Sequence, residues 1–105
     1  MKPSILLLLA SLAVSTQARD AVPAIPANAR VAIVGDSITE QKLYSKYIEI
    51  YLLACAGRGD VHCMQFGWGG ERAVGFEARL QNDLGFFSPN VATLCYGMND
   101  GSYVP

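Results

Sequence analysis

The feature that most limits what this chain can fold into is a rhythm of three short apolar runs. Each is closed by a glycine-bearing polar loop, and helix-period stretches lie between them. Residues 30–34 (Arg-Val-Ala-Ile-Val) stop at Gly35-Asp36, residues 61–66 at Gly67-Trp68-Gly69-Gly70, and residues 91–96 at Gly97-Met98-Asn99-Asp100. Short apolar runs bounded by turn residues are how strands buried on both faces of a parallel sheet read. After the first loop, Leu43, Tyr47, Ile48, Tyr51, Leu52 and Cys55 recur at helical spacing as far as Gly57, a suitable C′ residue. Tyr44, Tyr47 and Tyr51 are expected to form a helix face against the sheet. After the second loop, Glu71 opens a helical stretch with Ala73, Phe76, Leu80 and Leu84 on one side, weakened by Gly75. Ser88-Pro89-Asn90 is turn chemistry. The order βαβαβ predicts a three-layer, flavodoxin-like α/β fold with a parallel sheet.

At 105 residues the chain holds at most one small domain, and 51% hydrophobic residues suffice for a packed core. A net charge of −1, with no run of like charge, argues against a nucleic-acid partner. Lys2, the apolar stretch from Ile5 to Val14 and the small residues Thr16 and Ala18 form the pattern of an export signal over Met1 to Ala18. That stretch is shorter than the roughly 20 residues a bilayer demands, so a cleaved signal and no stable membrane span are expected. Residues 19–29, with Pro23 and Pro26, read as an extended lead-in, and residues 30–105 as the domain. The protein is thus expected to be secreted or periplasmic. In that compartment Cys55, Cys63 and Cys95 suggest one disulfide pair and one leftover thiol, with Cys55 and Cys63 close enough in sequence to be the pair. A single histidine and no C-x-x-C pair give no metal site, and no organic cofactor is implied.

In open α/β sheets the loops at the carboxyl ends of the strands share one edge, where ligands bind. Ser37, Gly70 and Asn99, far apart in sequence, are therefore expected near one point. A serine directly after a strand and at a helix start exposes its hydroxyl, as an acyl-transfer nucleophile requires. On position alone, a simple N-cap is the favoured reading of Ser37. Gly70 offers a backbone N–H with no side chain in the way, and Asn99 a side-chain amide donor. With the Ser37 amide they would make a three-donor oxyanion hole, in which losing one donor typically costs about 10²–10³ in turnover. Asp36 and Asp100 are candidates for orienting these loops by hydrogen bonding. Trp68 is a candidate for the border of a substrate pocket.

Gly35-Asp36-Ser37-Ile38-Thr39-Glu40 resembles the first block of the SGNH (GDSL-like) hydrolases, whose serine is the nucleophile. Gly67-Trp68-Gly69-Gly70-Glu71 resembles the second block, with Gly70 where the family's oxyanion glycine falls; Gln65 stands where that block often carries Asn. Gly97-Met98-Asn99-Asp100 is similar to the third, G-x-N-D, whose Asn is the third donor. The three positions follow in order, 33 and 29 residues apart, each after a predicted strand. The resemblance implies ester hydrolysis through an acyl-enzyme on Ser37, acting on a small-molecule, glycan or lipid ester, with carbohydrate deacetylation the favoured case. It also implies a fourth block, D-x-x-H, bearing the base and its orienting acid, which these 105 residues do not contain. His62, inside the second strand candidate, is read as structural. The chain is therefore expected to be the N-terminal portion of such a domain, cut after its third strand and inactive alone. The alternative is a shortened relative that binds an ester or glycan without turnover. A nucleotide-binding domain is disfavoured, because neither G-x-x-x-x-G-K-[ST] nor G-x-G-x-x-G follows the first strand.

Overall fold

The computed structural model describes residues 25–101. The export signal lies outside them, as do residues 19–24 of the lead-in. In chain order the elements are β1 (Arg30–Gly35), α1 (Ser37–Glu40), α2 (Leu43–Ile50), a π-helical stretch (Tyr51–Cys55), β2 (His62–Gly67), α3 (Ala73–Phe87) and β3 (Val91–Cys95). The three strands form one parallel sheet in the order β2-β1-β3. Gly35 is level with Gly67 on one side and with Cys95 on the other, so all three strands end at one edge.

Side chains alternate across a strand, and β1 uses both faces. Val31 and Ile33 pack with Leu52 and Val61, joined by Tyr44 and Ile48 of α2. Ala32 and Val34 pack with Phe66 and Phe76, joined by Leu84 and Phe87 of α3. The sheet thus separates α2 from α3, giving three layers. Residues Val31 to Val34 are at most 2% exposed, which explains why β1 reads as an unbroken apolar run. Each such branched side chain contributes about 1.5–3 kcal/mol by its burial.

Two glycines let α1 lie directly on the sheet. A Cβ at Gly35 would meet the Thr39 side chain and stand 2.7 Å from the Cys95 carbonyl oxygen. A Cβ at Gly67 would meet the Glu40 amide nitrogen and stand 2.6 Å from the Glu40 Cα. Thr39 is wholly buried there, and its hydroxyl shares a 2.6 Å hydrogen bond with the Tyr44 hydroxyl. Burial, more than any neighbouring charge, pushes that Tyr44 hydroxyl above its usual pKa.

The helix expected to run from Ser37 to Gly57 is broken. The Thr39 carbonyl, which a continuous helix would give to the Leu43 N–H, accepts instead from the Lys42 amide (3.0 Å) and from the Gln65 side chain. Lys42 takes a left-handed conformation (φ 60°), and α2 restarts at Leu43. The break also corrects the tyrosine stripe. Tyr44, Ile48 and Leu52, four residues apart, face the sheet, while Tyr47 and Tyr51 are 74% and 62% exposed. Cys55 and Cys63 are not bridged: all three cysteines are free thiols, Cys55 and Cys95 exposed and Cys63 half-buried.

Arg58 and Asp60 tie down the start of the described chain. Arg58 pairs with Asp60 at 2.9 Å and donates to the carbonyls of Ile25 and Pro26, while Asp60 accepts from the Asn28 amide. Strand β3 is the least sheltered element. Leu94 is 69% exposed, and the outer edge of β3 has no strand partner among the described residues. No helix among the described residues is long and apolar enough to cross a membrane.

Candidate active site

The strand order reverses direction at β1: the chain passes to β2 on one side and then to β3 on the other. The carboxyl edge at such a switch point is where open α/β sheets bind ligands. Ser37 lies two residues past the end of β1, Gly70 three past β2, and Asn99 four past β3. Neighbouring strands are about 4.8 Å apart, so the three loops leave the sheet side by side. They are also tied together. The Trp68 amide donates to the Gly35 carbonyl at 3.0 Å, and the Asn99 side-chain amide donates to the Glu71 carbonyl at 3.0 Å.

Asp36, not Ser37, caps α1. The Asp36 carboxylate is 1% exposed overall and accepts from the Ile38 amide at 3.0 Å. The Ser37 hydroxyl is thereby left out of the cap and makes no hydrogen bond among the described residues. Ser37 is half-buried at the first position of α1. Since α1 is a single turn of four residues, any field from its dipole is small, and hydrogen-bond donors rather than a helix end must stabilise charge here.

Gly70 is exposed and left-handed at φ +71°, with open space where a Cβ would stand. Glycine is therefore favoured by the backbone angle and not by crowding. Its N–H has no partner among the described residues. Glu71 follows at 9% exposure. Its carboxylate takes Nε and Nη2 of Arg79, both at 2.7 Å, and the Tyr96 hydroxyl at 2.6 Å. The Arg79 guanidinium holds the Glu71 carboxyl below the ordinary carboxylate range; burial opposes this and the Tyr96 hydroxyl adds to it. Burial, then the Glu71 carboxylate, pushes the Tyr96 hydroxyl well above its usual pKa. Arg79 also donates to the Phe66 carbonyl at 3.1 Å and pairs with Asp83. Its guanidinium stands 5.5 Å from the Trp68 ring centroid and 5.0 Å from that of Phe76. Trp68 itself is 61% exposed.

Asp100 orients the third loop. One carboxylate oxygen accepts from the Gly97 amide at 3.1 Å, and the other accepts from the Ala73 amide at 2.9 Å. It thus serves the first turn of α3, whose own N-cap, Arg72, supplies no side-chain acceptor. Glu71, Arg79 and Tyr96 were not anticipated as site residues. Their only sequence signal is an acid and a base eight positions apart, which is no helical pairing distance.

His62 stands outside this arrangement. It is exposed at the start of β2, paired with Arg30, and five residues before Gly67. At roughly 3.3 Å per residue that is about 16 Å from the loop edge, far beyond hydrogen-bond reach of Ser37. A cleft of about 370 Å³ opens between α2 and β2, lined by residues including Lys42, Ser45, Lys46, Glu49 and Cys63. None of Ser37, Gly70 and Asn99 lines it, so this cleft and the three-loop edge are different places. Among the described residues no group of three or more His, Cys, Asp or Glu could hold a metal ion.

No protein-family model and no curated protein matches the chain. Among solved structures it is similar to LAE5, an alpha/beta hydrolase enzyme from the metagenome of Lake Arreo, Spain, with a TM-score of 0.63 and 23% sequence identity. The match covers 70% of this chain and 41% of that one, so the chain spans well under half the length of its neighbour. At this identity the likeness is one of fold: a parallel α/β sheet of the kind on which that hydrolase is built.

Proposed function

We propose that the chain carries the nucleophile and oxyanion donors of an ester hydrolase of the SGNH type. Ser37 would attack the ester carbonyl, with the Ser37 and Gly70 amides and the Asn99 carboxamide as donors to the tetrahedral oxyanion. Collapse of that intermediate would break the ester C–O bond, release the alcohol with the proton taken from Ser37, and leave an acyl-enzyme. The observation that carries this reading is the hydrogen bond from the Asn99 amide to the carbonyl next to Gly70, at the sheet edge where Ser37 has been released from capping. The three sequence blocks supply the chemical identity of those loops; the likeness to LAE5 supports only their fold. The substrate is an ester, with an acetylated glycan as the favoured class, and the protein is exported after Ala18. The base that takes the Ser37 proton comes from none of the described residues, since His62 is at the wrong end of β2.

A fluorophosphonate probe tests this directly. Labelling of the chain, mapped to Ser37 and abolished in Ser37→Ala, is the expected result once a histidine base is provided in cis or in trans. Labelling that survives the substitution sinks the assignment. The second reading is a shortened relative whose site holds an ester or glycan without turnover. Under that reading, titration with an acetylated oligosaccharide perturbs the single tryptophan, Trp68, while Ser37 stays unlabelled.

A further inference from the structure

We infer that Glu71, clamped by Arg79 and Tyr96, is the positioning residue that aligns the Gly70 and Asn99 donors with each other. This rests on the oxyanion roles proposed above, and its geometry is independent of turnover. A carboxamide NH₂ carries two donors. One N–H of Asn99 is committed to the Glu71 carbonyl at 3.0 Å, which fixes the amide plane and leaves the second with one direction to serve. The same residue is joined by its peptide bond to Gly70, so any movement of Glu71 moves both donors together.

What holds Glu71 is its side chain. The carboxylate receives three hydrogen bonds, two from the Arg79 fork and one from Tyr96, in a residue 9% exposed. Charge-assisted bidentate bonds of this kind add geometric specificity as well as strength. Their anchor points span the site. Arg79 belongs to α3 and also grips the Phe66 carbonyl of β2, while Tyr96 directly follows β3 and precedes Asn99 by three residues. The clamp therefore ties the ends of β2 and β3 to one residue whose main chain touches both donors. Lysine cannot replace the fork, because it offers a single nitrogen where Arg79 uses Nε, Nη1 and Nη2 on separate acceptors.

A purely structural ion pair would lower stability without a local signature at Asn99. The test is therefore side-chain amide NMR of the full chain labelled with ¹⁵N, with the Asn99 signal assigned by its loss in Asn99→Asp. In the native chain one Asn99 side-chain proton exchanges slowly. In Tyr96→Phe and in Arg79→Lys it exchanges at least about tenfold faster while the β1 backbone amides remain protected. Tyr96→Phe removes one hydroxyl only, and it decides the matter if Arg79→Lys does not fold. An Asn99 signal unchanged in Tyr96→Phe overturns the inference. In p-nitrophenyl acetate hydrolysis by the histidine-supplemented chain, Tyr96→Phe lowers kcat about 10- to 100-fold and leaves KM unchanged; a change in KM alone counts against positioning. If Ser37→Ala leaves hydrolysis intact, the acyl-enzyme reading fails, and the Asn99 exchange rates still decide the role of Glu71.

Discussion

Gly67→Ala isolates the contact by which α1, and Ser37 with it, is seated on the sheet. The added carbon would stand 2.6 Å from both the Glu40 Cα and the Gln65 side-chain nitrogen. Carbon atoms rest at about 3.5–4.0 Å, so the Glu40 backbone must retreat by roughly 1 Å. That retreat cannot be absorbed by a rotamer change, because the obstructing atoms include main chain. Overpacking of this kind costs about 1–3 kcal/mol. For a domain of this size each kcal/mol shifts the midpoint by about 4–8 °C, so a loss near 2 kcal/mol lowers Tm by roughly 8–16 °C. Gly59→Ala is the control: no atom lies within 4 Å of its would-be Cβ, and its φ is not left-handed. It should leave Tm unchanged or raise it slightly, through the less mobile unfolded chain. Thermal melts followed by circular dichroism measure both. A Gly67→Ala chain melting within about 2 °C of the native protein refutes the close-approach account.

Other expected outcomes follow from single contacts. Asp36→Ala removes the cap on the Ile38 amide and costs about 1 kcal/mol in a denaturant titration. Asp100→Ala frees the Ala73 and Gly97 amides, whose hydrogen exchange should accelerate while the β1 amides stay protected. The Glu71 carboxyl titrates below its ordinary value, so its ionised form stabilises the fold fully above pH about 4.5, and that contribution fades as pH falls through the lowered folded pKa. The native chain should therefore lose more stability between pH 6 and pH 3 than Glu71→Gln, measured as the change in urea midpoint; equal losses would remove Glu71 from the acid response. Burial, with Glu49 nearby, pushes the Cys63 thiol up, so a disulfide exchange reagent at neutral pH should modify Cys55 and Cys95 first and Cys63 last.

Much of the fold was legible because β1 is buried on both faces, and a two-sided core leaves a continuous apolar run. The three strands begin and end within a residue of the places where glycine loops follow apolar runs. The break after α1 was not legible. It depends on the Gln65 side chain reaching the Thr39 carbonyl from 26 positions away, and no local propensity encodes that competition. The same break hid the facing of α2, since a helix restarted at Leu43 presents Tyr44 and Ile48 inward in place of Tyr47 and Tyr51. The candidate site divided similarly. Ser37, Gly70 and Asn99 stood out by residue type and by place after strands. Glu71, Arg79 and Tyr96 did not, because an acid, a base and a phenol become a clamp only once β2, α3 and β3 are assembled.

Strand β3 spends one row of its peptide groups on β1 and leaves the opposite row uncommitted among the described residues. From Val91 to Cys95 it has no charge, no proline and no bulge with which to discourage a stranger. Among the described residues β3 is therefore an open five-residue template, the place where one more strand, from this chain or another, could extend the sheet.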